Sequence, residues 1–193
     1  ILNVKSWTQN LLFVNHVHCQ SIESNSVRIT HKRNYKKGGK IMDLIMGMNS
    51  GSSFDGIDVI LAETEMAEDG FPKAPRFICG GSYVWPKEVA DIVQDAFVNK
   101  VDMVGLNRLN YLCGAVFAEK AAQFMKENNI DSRNIKVLGL DTQTIYQEQP
   151  NHAAIAKMTK EEKDDWVGRW LSGNYPCGTQ MGDTSVIANL VDI

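Results

Sequence analysis

The stretch Gly47-Met48-Asn49-Ser50-Gly51-Ser52-Ser53-Phe54-Asp55-Gly56-Ile57-Asp58 gathers residue types that can hold phosphate. Gly51 and Gly56 let the backbone come close to a ligand, and successive amides of such a loop can form an anion-binding nest. Ser50, Ser52 and Ser53 add hydroxyl donors, while the carboxylates of Asp55 and Asp58 could orient the water shell of Mg2+ or a nucleophile. The stretch is not a Walker A loop, since no Gly-Lys-Ser/Thr follows it and Gly39-Lys40 runs on into Ile41. By residue type alone two readings stand: a phosphate site, or a plain Gly/Ser turn between two strands.

Other chemistry-bearing residues are more scattered. Cys19, Cys79, Cys113 and Cys177 lie far apart with no C-x-x-C pair, which points to neither a zinc site nor a disulfide framework. His16, His18 and His31 have no Cys or acid at ligand spacing, so no metal site is expected there. A reducing compartment, the cytoplasm, is expected. Asp183 can start a helix. Asp141 reads as a loop-capping carboxylate.

The elements that must position these residues alternate strand and helix. Ile41–Met46 reads as a buried strand, Gly47–Ser53 as a turn and Asp55–Glu63 as a second strand, together a hairpin. Pro75–Tyr83 offers a third strand, and Pro86 opens a helix in the first-turn position that proline tolerates. From Asp102 to Asn128, the residues Leu106, Leu109, Cys113, Val116, Phe117, Ala121 and Phe124 recur at three and four, the core stripe of a long helix. Ile135–Leu140 is the next strand, Asp141–Thr144 a polar loop, and Ile145-Tyr146 a brief extended stretch. Thr159 with Glu162 forms a capping-box pattern for a helix to about Leu171, whose Trp166 and Trp170 read as core or interface anchors. Gly178–Met181 is extended, and a last helix begins at Asp183 or Thr184. The fold class is mixed α/β.

The chain of 193 residues is 44% hydrophobic with a net charge of −3, enough apolar content for a core. No apolar run is long enough to span a bilayer, and the mild acidity argues against a nucleic-acid binder. Residues 1–40 hold seven basic residues against the single acid Glu23, so they are read as a basic, poorly ordered arm with a boundary near Lys40. An organelle presequence is the sharper alternative for that arm.

Four motifs in register change the weight of these readings. Ser50 to Asp58 (SGSSFDGID) resembles the S-G-T-S-x-D-G-[IV]-D signature of the anhydro-N-acetylmuramic acid kinases, with Ser52 in place of Thr. Leu106-Asn107-Arg108-Leu109 through Phe117-Ala118-Glu119 resembles the family's long helix. Gly139 to Tyr146 sits where the family has G-S-H-G-Q-T-[IV]-x, and Thr179-Gln180-Met181-Gly182-Asp183 resembles T-x-Q-[IL]-G-[DN]. Asp141 and Thr142 replace the family's His and Gly, while Gln143 and Thr144 remain. That exchange, with a long insertion at about 151–175, inclines the reading toward the levoglucosan-kinase branch.

The resemblance implies the N-terminal half-domain of the sugar kinase, heat-shock ATPase and actin (ribonuclease H-like) fold, truncated after Ile193. It implies an ATP- and Mg2+-dependent kinase that opens a 1,6-anhydro sugar ring with water and phosphorylates O6. Gly51, Ser52, Ser53, Phe54, Asp55, Gly56, Ile57 and Asp58 would then face the ATP phosphates, with Asp141, Gln143 and Asp183 as substrate-pocket residues. The family's base, in a D-F-R-x-x-D stretch, would follow the position of Ile193, so no catalytic residue is expected in this chain and it should be a poor kinase alone. The alternative is a truncated, non-catalytic relative that binds nucleotide or acts as an interaction fragment. An unpaired sheet edge would favour self-association or a homodimer.

Overall fold

The computed structural model describes residues 35–37 and 40–191. The three arm histidines and Cys19 lie outside them. Strands β1 (Tyr35–Lys37), β2 (Lys40–Asn49), β3 (Ile57–Thr64) and β4 (Arg76–Tyr83) run first, followed by helices α1 (Lys87–Phe97) and α2 (Met103–Glu127). Then come β5 (Ile135–Asp141), β6 (Gln143–Gln147), three short helices α3 (His152–Lys157), α4 (Lys160–Asp164) and α5 (Trp166–Leu171), β7 (Gly178–Met181) and α6 (Thr184–Val191). The order is mixed α/β, as the sequence predicts. The sheet begins earlier than the expected boundary near Lys40, because β1 pairs antiparallel with the start of β2.

β2 organises the main sheet. It pairs antiparallel with β3 and parallel with β5, and β3 pairs antiparallel with β4. β1 and β5 therefore take the same side of β2, one along its beginning and the other along its end. Strand alternation then sends Leu44, Met46 and Met48 of β2 and Ile57, Val59 and Leu61 of β3 into the core, all buried. On the opposite face Phe77 and Val137 are about half exposed.

Helix α2 supplies the other wall of that core. Its predicted stripe is correct: Leu109, Cys113, Val116, Phe117, Ala121 and Phe124 are buried, and Leu106 packs against them half-buried. Asp102 caps it by accepting from the Gly105 N–H at 2.7 Å. Side chains are missing where other chain must pass. A Cβ on Gly114 would come within 2.6 Å of the Asp183 carbonyl, so glycine lets α2 and the start of α6 touch backbone to backbone.

Two expectations change. The polar loop at Asp141–Thr144 is a single break at Thr142, because Gln143 and Thr144 already pair with Met181 and Gln180 of β7. The single helix from Thr159 to Leu171 is two helices. The predicted capping box at Thr159 and Glu162 is present, but Asp165 takes an extended backbone and its carboxylate accepts from the Val167 and Gly168 N–H groups, starting α5 afresh. Trp166 and Trp170 on α5 are exposed and are not core residues.

Candidate functional site

The β2–β3 connection, Ser50–Gly56, stands at the end of the sheet where β5 also finishes. Gly51 takes φ +63° and Phe54 φ +53°. Left-handed residues are the ingredient of anion-binding nests, and glycine supplies one without strain. Phe54 does not, and such a conformation in a bulky residue is kept only when its surroundings enforce it. Its ring lies 5.4 Å from Trp85 and 5.7 Å edge-on from Phe97, and Trp85 meets Phe117 of α2 at 5.5 Å. An aromatic chain thus ties the loop to the long helix.

Around this loop the predicted residues separate into groups. Ser52, Ser53, Asp55 and Asp58 are exposed, and Ser53 donates to Asp55 at 2.8 Å. Ile57 is fully buried and belongs to the core rather than to a ligand surface. Gly56 lies close under β4, where a Cβ would meet the Tyr83 carbonyl at 3.2 Å. Asn49 is in register with Asp58 on one side and Asp141 on the other, so three acceptor-bearing residues share one face at the strand ends. Asn49 Oδ1 is buried without a hydrogen-bond partner. That orphaned acceptor, flanked by two carboxylates, wants a donor such as a metal-bound water.

The second group sits one hairpin away. Asp141 Oδ1 accepts from Gln180 Nε2 at 3.1 Å, and the same nitrogen lies 3.4 Å from Thr144 Oγ1. Asp141 thus ties β5 to β7. Gln143 was expected to line a pocket, but it is fully buried, so its amide faces other protein groups instead. It accepts from Ser50 Oγ at 2.6 Å and donates to the Thr144 carbonyl at 2.9 Å.

Asp183 starts α6. Its carboxylate accepts from the Ser185 N–H and hydroxyl, and these bonds hold it below the ordinary carboxylate range. Of its two predicted roles, the geometry shows the capping one. A cavity of about 280 Å³ is lined by Phe97, Val101, Leu106, Ile145, Tyr146 and Thr179 among others. Sequence reasoning placed no site there, since its walls come from α1, α2, β6 and β7 and carry no charge pattern.

The family model of the anhydro-N-acetylmuramic acid kinases matches residues 43–161, more than half of the chain. The chain belongs to this family. The match takes in the Ser50–Gly56 loop, α2 and the Asp141–Thr144 turn. The anhydro-N-acetylmuramic acid kinase of Vibrio vulnificus (strain CMCP6) is 23% identical over 152 residues, covering 78% of this chain and 34% of that protein. That of Legionella pneumophila (strain Paris) is 26% identical over 153 residues, covering 79% and 34%. That of Sulfurimonas denitrificans is 26% identical over 106 residues, covering 55% and 27%. The chain therefore spans about a third of the length of these relatives. No helix among the described residues is long and apolar enough to cross a membrane.

Proposed function

We propose that this chain is the N-terminal portion of an ATP-dependent kinase of 1,6-anhydro sugars, in which hydrolytic ring opening is coupled to phosphorylation at O6. In this reading its architecture is the first half-domain of the sugar kinase, heat-shock ATPase and actin (ribonuclease H-like) fold. The observation that carries the proposal is the Ser50–Gly56 loop, with left-handed backbone at Gly51 and Phe54 and acceptors at Asn49, Asp58 and Asp141 across its base. When bound, ATP supplies the phosphoryl group and Mg2+ neutralises its charge. The loop backbone and the hydroxyls of Ser52 and Ser53 hold the phosphates, and Asn49, Asp55 and Asp58 would hold the hydrated metal. Such a loop contributes by positioning and charge stabilisation. No general base is assigned among the described residues.

The sugar is proposed to lie on the β6–β7 side, toward Asp141, Thr144 and Gln180. An acid at position 141 offers an acceptor for sugar hydroxyls, which supports levoglucosan as well as anhydro-N-acetylmuramic acid as a substrate. The cytosol is the proposed compartment.

Calorimetric titration with Mg-ADP tests the nucleotide site directly, and ADP release with Mg-ATP and each anhydro sugar tests turnover. Binding that is lost in Gly51→Val, where a β-branched side chain is forced into left-handed backbone, supports the loop assignment. Equal binding by Gly51→Val and the parent would overturn it. Binding without turnover is the outcome expected of this portion, and robust turnover by this chain alone would place a general base among its own residues.

A further inference from the structure

Beneath the loop lies a polar junction that this chain keeps entirely inside. Ser50 is 2% exposed, Gln143 0% and Trp85 8%. Three separate elements meet there: the first residue of the loop, the first residue of β6 and the segment between β4 and α1. The hydroxyl of Ser50 has one proton, and the 2.6 Å contact gives it to Gln143 Oε1. The Trp85 indole N–H donates to the same Ser50 oxygen at 3.1 Å. The Gly56 carbonyl, at the far end of the loop, also lies 3.1 Å from it. Gln143 donates its own N–H to the Thr144 carbonyl at 2.9 Å, and Ser50 N–H donates to the Asp141 carbonyl at 3.2 Å.

A core built only for stability has no need of this arrangement, because apolar residues of the same shape fill such a space at little or no cost. What directional bonds add is geometry. Here they fix the start of the loop, Ser50, to the beginning of the β6–β7 hairpin, with the Gly56 carbonyl of its far end 3.1 Å from the same hydroxyl oxygen. The same hairpin carries Thr144 and Gln180, and Gln180 donates to Asp141 at the end of β5.

We propose that Ser50 and Gln143 are a positioning pair that sets the phosphate-holding shape of the Gly51–Gly56 loop from the β6–β7 hairpin, so that occupancy of the loop is felt in the hairpin. Neither residue touches the ligand; both act through the backbone they hold. The proposal rests on the reading that the loop binds nucleotide phosphates.

The test is Mg-ADP titration of the parent chain and of Ser50→Ala, Gln143→Met and the double variant. Each single variant is expected to lose about tenfold in affinity, the size of one buried hydrogen bond and the penalty of its orphaned partner. The double variant should be no weaker than the weaker single one, because the pair is broken only once. Independent, multiplying losses would overturn the pairing, as would parent-like binding by both single variants. In that last outcome the nucleotide reading survives and the pair is only core. No binding by the parent removes both.

A second measurement needs no substitution. Mg-ADP should slow amide exchange of the parent chain at 143–147 and 178–181 as well as in the loop. Protection confined to residues 51–56 would overturn the coupling while leaving the site intact. Ser50→Thr, which retains the hydroxyl, should restore binding relative to Ser50→Ala, a rescue that loss of packing alone would not produce.

Discussion

Gly114→Ala sets two physical effects against each other. Glycine inside a helix costs about 1 kcal/mol relative to alanine, so propensity alone predicts a more stable protein. The structure predicts the opposite. An added Cβ would stand 2.6 Å from the Asp183 carbonyl oxygen, 3.2 Å from its nitrogen and 3.2 Å from Val186 Cβ. The nearest neighbour is backbone, which cannot rotate aside. That backbone is also fastened to α2, since Asp183 N–H donates to the Asn110 carbonyl at 3.1 Å and Gly182 N–H to Asn110 Oδ1 at 2.9 Å. Making room means backing 182–183 away and stretching those bonds. Overpacking costs about 1–3 kcal/mol and a lost hydrogen bond about 1 more. After the propensity gain, the net expectation is a destabilisation of about 1–3 kcal/mol. For a chain of this size each kcal/mol moves Tm by about 2–4 °C, so thermal and urea unfolding followed by circular dichroism should show a fall of several degrees. A variant that melts at or above the parent would refute the tight contact between α2 and the start of α6.

Two further outcomes follow from the site's surroundings. Asp183 is held below the ordinary carboxylate value of 3.8 by its bonds to Ser185, so its stabilising contribution is complete above that value and is lost as pH falls through the lower folded value. Urea midpoints of the parent should therefore drop more steeply below about pH 4 than those of Asp183→Asn; parallel curves would remove the capping role. Burial pushes the Cys113 thiol up to about 12, whereas exposed Cys177 is raised mainly by its bond to Glu148. Alkylation at pH 8 with peptide mapping should label Cys177 in the native chain and Cys113 only in denaturant. Glu148→Gln should speed the first reaction.

What the sequence disclosed and what it concealed divide along range. The β2–β3 hairpin and the stripe on α2 are legible because alternation at two and recurrence at three and four are local patterns. The break at Asp165 was hidden because a run of Lys, Glu and Asp fits one helix as well as two, and only the turn of the chain decides. β6 began two residues earlier than its polar letters suggested, since Gln143 and Thr144 are strand residues by virtue of β7, which arrives far along the chain. Ser50 stood in view among the other serines, yet nothing nearby marks it. Its partners Trp85 and Gln143 lie 35 and 93 residues away, and only the fold brings them to it. Gly51 to Asp58 was readable as a loop that could take an anion; Ile57, expected among its phosphate-facing residues, is the first residue of β3 and belongs to the core.

The position of β2 also has a meaning in time. Its antiparallel partner β3 is near in the chain, across the short Ser50–Gly56 connection, and β4 follows soon after to pair with β3, so little chain entropy opposes this meander. Its parallel partner β5 arrives only after both α1 and α2 have been made, and closing that distance is the slow, non-local event. The β2–β4 meander is thus the early unit and β5 the late one. The end of β5, with the seat of Asp141, therefore depends on the longest-range pairing that β2 makes.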